Sequence, residues 1–159
     1  MSTVVIRPAR RRDREPVGRF LTGLSPVSRN QRFFTEILRV SPELVRSMVA
    51  VSPGHHVLLA LDGDAVVGHV MAVRIADHTV DVGIVVADAY RQRGIGRRLI
   101  RELTAAVTSV GVTTVQCDVL CGNYFVLRWL RRLLPVMRVE RAGATLIVTG
   151  EFKAGGRRV

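Results

Sequence analysis

A chain of 159 residues with 48% hydrophobic content suits one domain with a real core. No apolar run nears the ~20 residues of a membrane span, the N-terminus MSTVVIRPARRRD lacks an apolar segment with a cleavage site, and Cys117 and Cys121 make no disulfide framework, so the expected setting is the cytoplasm with reduced thiols. The charge of +11 is almost all arginine, Lys153 being the only lysine; attraction to an anion and a plain preference for Arg over Lys explain it equally, and 5% aromatic content argues against a nucleic-acid stacking platform.

Residues 3–7 read as a strand ended by Pro8. Asp13 is placed to cap a helix to about Leu24, with Val17, Phe20, Leu21 and Leu24 on one face. Residues 24–29 break it, and a short helix is expected over 31–39. Ser41 followed by Pro42 starts a third helix, ending before Pro53. The period then becomes that of strands: 56–61, a turn at Asp62-Gly63-Asp64, 65–75, a turn at 76–78, and 79–86. After a long helix stopped by Gly111 come a strand over 113–120, a helix opened by Gly122-Asn123 and ended by Pro135, and a hairpin of 136–140 with 145–150. Residues 1–152 are expected to form one α/β domain, with 153–159 a mobile basic tail.

The centre of this order is 80–99, VDVGIVVADAYRQRGIGRRL. Val82, Ile84, Val85 and Val86 suit a mostly buried strand. Arg91-Gln92-Arg93-Gly94-Ile95-Gly96 follows, and then Ile95, Leu99, Leu103, Val107 and Val110 keep helical period. A helix start carries unpaired N–H groups and the positive end of the dipole, glycines let an oxyanion approach, and arginines add charged donors. The loop has no Gly-Lys-Ser/Thr, and Leu99 stands where a dinucleotide fingerprint has its third glycine. On its own, the stretch is equally a plain strand–turn–helix junction.

The wider pattern Val86-x-x-x-Tyr90-Arg91-x-x-Gly94-x-Gly96-x-x-Leu99 resembles the acetyl-CoA signature of the GNAT N-acetyltransferase superfamily, whose core is Gln/Arg-x-x-Gly-x-Gly/Ala. Asp88 stands where that family often has proline. The element order resembles the family over roughly residues 4–152, which implies a single domain with a mixed, mostly antiparallel sheet flanked by helices. A second stretch, Leu24-Ser25-Pro26-x-Ser28-Arg29-x-x-Arg32-Phe33-Phe34, is similar to the Leu-Ser-x-x-Ser-x-x-x-Arg-Phe-Phe segment of bacterial Pat-type protein-lysine acetyltransferases.

The resemblance implies acetyl-CoA as co-substrate and attack of an amine on its thioester. A lysine-like amine, with a pKa near 10.4, is neutral in only about one molecule in a few thousand at pH 7, so a base helps. Pat-like domains carry a glutamate near the start of the central strand; here Asp81 holds that place, one methylene shorter. Alternation sets Asp81, Gly83 and Val85 on one face, where apolar neighbours raise a carboxylate pKa. By resemblance, Ile84, Val85 and Val86 pair with the pantetheine arm and the thioester oxygen, and Arg91, Gln92, Arg93, Gly94, Ile95 and Gly96 hold the diphosphate. Asn123 matches an asparagine that helps hold the cofactor arm; as a residue it also suits a helix N-cap. Leu130 stands where many relatives have a tyrosine acid, and Tyr124 is not at that place, so no general acid is assigned.

His55, His56, His69 and His78 lack metal-ligand spacing and read as strand-end or loop histidines; no metal is expected. Cys121 reads as a core thiol rather than a nucleophile. The leading function is acetyl transfer to a protein lysine. The alternatives are a small-amine acetyltransferase and a non-catalytic acyl-CoA-binding regulatory module; nucleic-acid binding ranks last. The expected partners are acyl-CoA and the amine acceptor, no membrane is involved, and a homodimer is compatible with the chain.

Overall fold

The apolar alternation resolves into one seven-stranded sheet in the computed structural model, which describes residues 3–33 and 40–152. Strands β1 (Val5–Pro8), β2 (His55–Asp62), β3 (Ala65–Ala76) and β4 (Thr79–Val86) form one antiparallel run. Strands β5 (Thr114–Leu120), β6 (Met137–Ala142) and β7 (Thr145–Glu151) form another, and the sheet order is β1-β2-β3-β4-β5-β7-β6. The chain crosses from β4 to β5 through a helix, so these two strands are parallel. They pair at three positions only: Thr79 with Thr114, Val80 with Val115, and Asp81 with Gln116. Beyond Asp81 they part, leaving a fork in the sheet.

Five helices flank the sheet among the described residues: α1 (Arg14–Gly23), α2 (Pro26–Phe33), α3 (Pro42–Met48), α4 (Ile95–Ser109) and α5 (Tyr124–Leu133). Alternation along β2 sends Leu58 and Ala60 to the α4 face and Leu59 and Leu61 to the face of α1 and α3. Leu99, Leu103 and Val107 recur at helical spacing on α4 and are buried against the first face. Helix α5 lays Leu127 on Val115, Val119 and Val148, giving the second run its own core.

Three local readings of the sequence are corrected here. Helix α2 begins at Pro26, five residues before the expected start: the Ser28 amide donates to Ser25 Oγ at 3.1 Å, so Ser25 is a cap with proline at the first helical position. The remainder of that expected helix, 34–39, and the basic tail, 153–159, lie outside the described residues. Asp13 does not cap α1 with its side chain. Its carboxylate takes both Nη atoms of Arg7 at 2.8 Å and the Arg10 amide at 2.7 Å, tying the turn before α1 to the edge strand.

His69 is neither a strand-end nor a loop residue: it sits inside β3 between Leu59 and Val85 and is fully buried. Its Nε2 donates to the Met48 carbonyl at 2.7 Å, and burial, the largest effect, lowers its pKa to about 4. A buried base with a depressed pKa leaves stability intact above its unfolded pKa of about 6.5 and removes it as pH falls toward the folded value. From pH 7 to 4, urea denaturation of the wild type should therefore lose on the order of 3 kcal/mol through this group. His69→Gln, which keeps a donor but cannot titrate, should flatten that limb, and an unchanged pH slope would exclude His69 as its source.

Candidate active site

The fork between β4 and β5 opens into a cleft of about 1290 Å³. Asp81 stands where the strands part, and Ile84, Val85 and Val86 carry β4 onward along one wall with no partner strand on that side. On the far side of the opening lie Arg91, Gln92, Gly94, Ile95 and Gly96, and Asn123 closes the β5 end. Of the residues expected at the site, only Arg93 does not line the cleft; its guanidinium lies 4.9 Å from the Tyr90 ring centroid.

The loop geometry is that of an anion cradle. Gly94 is left-handed at φ 77° and heads α4 with no capping side chain, while Gln92 is a non-glycine residue at φ 61°. Left-handed residues in such a loop turn successive N–H groups toward one concave side. The first backbone bond across the helix start runs from the Arg98 amide to the Gly94 carbonyl at 3.1 Å. The amides of Ile95, Gly96 and Arg97 thus precede any intrahelical donor bond and face the dipole's positive end unassisted. A Cβ at Gly94 would meet nothing within 4 Å, and at Gly96 only Ile84 and Val86 at 3.8 Å, so this side of the cleft is open.

Asp88, the departure from the signature's usual proline, has a structural use. Its carboxylate accepts from Ser28 Oγ at 2.7 Å and from the Ser25 amide and Oγ, each at 3.2 Å. Burial pushes its pKa up, but the hydrogen bonds from Ser28 and Ser25 outweigh it and hold the carboxyl below the usual range. Arg91 donates to the same Ser28 Oγ at 2.6 Å. The Ser-Pro-x-Ser segment and the glycine loop, some sixty positions apart, are therefore latched together, which neither motif discloses alone.

Asp81 is half-buried and accepts no hydrogen bond among the described residues. Burial first, and then the Asp118 carboxylate, raise its pKa above the ordinary carboxylate value, with Arg32 pulling the other way. Asn123 Oδ1 takes the Val126 amide at 3.4 Å, so it does cap α5 while lining the cleft. The buried core thiol is Cys117; Cys121 is only half-buried and points to the Gly143 carbonyl at 3.8 Å. Burial, helped by Asp81 and Asp118, pushes the Cys117 pKa up to about 12, which keeps it a neutral thiol. Leu130 lines the cleft without a hydroxyl, and the hydroxyl of Tyr90 is committed to Asp62.

Sequence reasoning passed over Arg32 as a cleft residue. Its guanidinium lies across Gly83, so a methyl there would stand 2.7 Å from Nη2 and 2.8 Å from Nε. The signal was the pairing of an arginine in the Arg-Phe-Phe segment with a glycine interrupting the β-branched run of β4.

A sheet forked between parallel β4 and β5, with an uncapped helix start facing the fork, forms a cleft suited to an anionic ligand. The model of the Acetyltransferase (GNAT) family matches residues 24–134, well over half the chain, and the chain belongs to that family. Among solved structures, the GNAT domain of S. lividans PAT superposes with a TM-score of 0.84 at 20% identity, over 92% of this chain and 89% of that one. The PaiA N-acetyltransferase from Thermoplasma acidophilum, in complex with coenzyme A, gives 0.75 at 15% identity, over 94% and 99%. A cAMP-binding acyltransferase from Mycobacterium smegmatis gives 0.64 at 21%, over 95% of this chain and 44% of that one. At these identities the likeness is one of fold. No curated protein matches the sequence. Among the described residues no helix is long and apolar enough to cross a membrane.

Acetyl-CoA is the co-substrate of this fold. The chain fits it in two respects visible here: the cleft presents an uncapped helix start with open space at Gly94, and β4 offers an unpartnered edge leading away from Asp81.

Proposed function

We propose that the protein transfers the acetyl group of acetyl-CoA to a primary amine, a protein lysine by preference, by direct attack on the thioester with Asp81 as the base. Acetyl-CoA supplies an activated acyl group on a sulfur leaving group. The Ile95, Gly96 and Arg97 amides, with Arg91, bind its diphosphate, and the backbone of Ile84, Val85 and Val86 aligns the arm and polarises the thioester oxygen. A donor set in advance at such an oxygen is typically worth about 3 kcal/mol. Asp81 accepts the amine proton, directly or through one water. No side chain is assigned as acid to the leaving sulfur.

The observation that carries this reading is a carboxylate of raised pKa, free of hydrogen bonds from the described residues, at the root of the fork. The lysine preference is supported by the Ser25-Pro26-x-Ser28 segment and its latch to the cofactor loop. The reduced thiols fit a cytoplasmic enzyme, and residues 1–152 serve as its one domain. The test is intact mass of an acyl-CoA synthetase incubated with enzyme and acetyl-CoA, beside a panel of small amines. Gain of one acetyl group on the synthetase, absent with Asp81→Ala, supports the reading; acetylation of small amines alone ends the lysine preference, and binding of acetyl-CoA without any turnover ends the enzyme reading.

A further inference from the structure

We propose that Arg32 is a specificity-determining residue, the receptor for a carboxylate that the acceptor carries close to its reacting amine. The proposal rests on the acetyltransferase reading above and names what distinguishes the preferred acceptor.

Arg32 lines the cleft on the same face of β4 as Asp81. Its Nε is sealed from solvent and has no hydrogen-bond partner, and no carboxylate lies within ion-pair distance of its guanidinium among the described residues. Its contacts are soft: Nη2 is 4.0 Å from the Met48 sulfur, and the guanidinium carbon is 4.9 Å from the Phe33 ring centroid. His69, nearby on β3, is neutral and turns its proton to Met48. Asp81 acts on Arg32 through space only, and burial dominates, drawing the arginine pKa below its ordinary value.

A desolvated, unneutralised cation is costly unless something anionic meets it. A guanidinium presents paired N–H donors in a planar fork that matches a carboxylate. Gly83 makes room for this: the guanidinium occupies the space where a Cβ would stand, so any side chain would displace it. The acceptor amine must reach Asp81, so an anion held by Arg32 belongs to the acceptor and sits within a few bonds of the amine. Two sources supply it: an acidic residue beside the target lysine in a protein, or the α-carboxylate of a free amino acid.

The experiment measures kcat/KM at saturating acetyl-CoA for two matched pairs: a lysine peptide with Glu or with Gln beside the lysine, and free lysine or lysinamide. The wild type should favour the acid of one pair by about tenfold or more, as a charged hydrogen bond does. Arg32→Gln should bring that pair to parity through the acid's KM, and Arg32→Lys should keep part of the preference. An unchanged acetyl-CoA Kd in each variant certifies the fold. Preference in the peptide pair assigns an acidic neighbour; preference in the lysine pair assigns an α-carboxylate. Parity of both pairs in the wild type, or a preference that survives Arg32→Gln, overturns the proposal while leaving the acetyltransferase reading intact. No acetylation of any of the four acceptors, nor of the synthetase, by a protein that binds acetyl-CoA overturns both.

Discussion

Asp81→Asn is expected to lower kcat by about 10²–10⁴-fold, the usual worth of a positioned base, with the acetyl-CoA Kd unchanged. Asparagine preserves the shape of the side chain at the root of the fork but cannot accept the amine proton. In the wild type, kcat/KM should fall on the acid side as Asp81 protonates, at a pH above the ordinary aspartate range because burial and Asp118 raise its pKa. The asparagine variant should lose that limb. Its stability should move the other way. A carboxylate whose folded pKa is raised costs nothing below its unfolded pKa; the cost develops as pH rises between the unfolded and folded values and is full above them. At neutral pH, Asp81→Asn should therefore be more stable than the wild type, and the gain should vanish below about pH 4. Full turnover in Asp81→Asn would remove this carboxylate as the base.

Asp13→Ala should cost about 3 kcal/mol, lowering Tm by roughly 6–12 °C for a domain of this size. The loss is that of a buried acceptor with three donors: Arg7 Nη1 and Nη2, and the Arg10 amide. The side chain of Asp13 is 5% exposed and that of Arg7 is 25%, so the stranded arginine recovers some water and the cost stays at the low end for buried pairs. The Arg7 hydrogen bond is the largest of the effects holding the Asp13 pKa below its usual value. Its contribution is thus present above the unfolded carboxylate pKa and is lost as pH falls through the folded one, so wild type and variant should converge in strong acid. Arg7→Met with Asp13→Leu should recover much of the loss. Because the pair joins edge strand β1 to the turn before α1, acetyl-CoA affinity should hold in the folded variant. A single Asp13→Ala loss under about 0.5 kcal/mol would place the pair among ordinary surface ion pairs.

Most of the strand-and-loop half of the cleft was legible as structure because its signals are local. A β-branched run, a left-handed glycine and a periodic apolar stripe all lie within twenty residues, and the strand, loop and helix formed where they indicate. Ser41-Pro42 was legible as a helix start for the same reason, yet Ser25-Pro26, the same two residues in the same roles, read as a breaker. The difference is apolar content: α2 buries only Ser28, so no hydrophobic stripe announces it. The latch of Ser28 to Asp88, the burial of His69 and the placement of Arg32 on Gly83 depend on contacts between distant segments. Period and propensity carry no trace of such contacts, although a polar Asp88 in place of proline and a glycine within a valine-rich strand each marked a position whose partner lay elsewhere.

The three-residue seam between β4 and β5 is the shortest ladder in the sheet and divides it into two units, β1–β4 and β5–β7. The β1–β4 unit is closed by α1, α3 and α4, and the β5–β7 unit by α5, with Val82 and Phe152 among the side chains shared across the divide. Native-state hydrogen exchange is expected to find the smaller unit opening at a free energy below that of global unfolding. A ligand that fills the fork and touches both units would add RT ln(1 + [L]/Kd) to their joint stability. Substrate occupancy is then expected to set whether the two halves unfold separately or together.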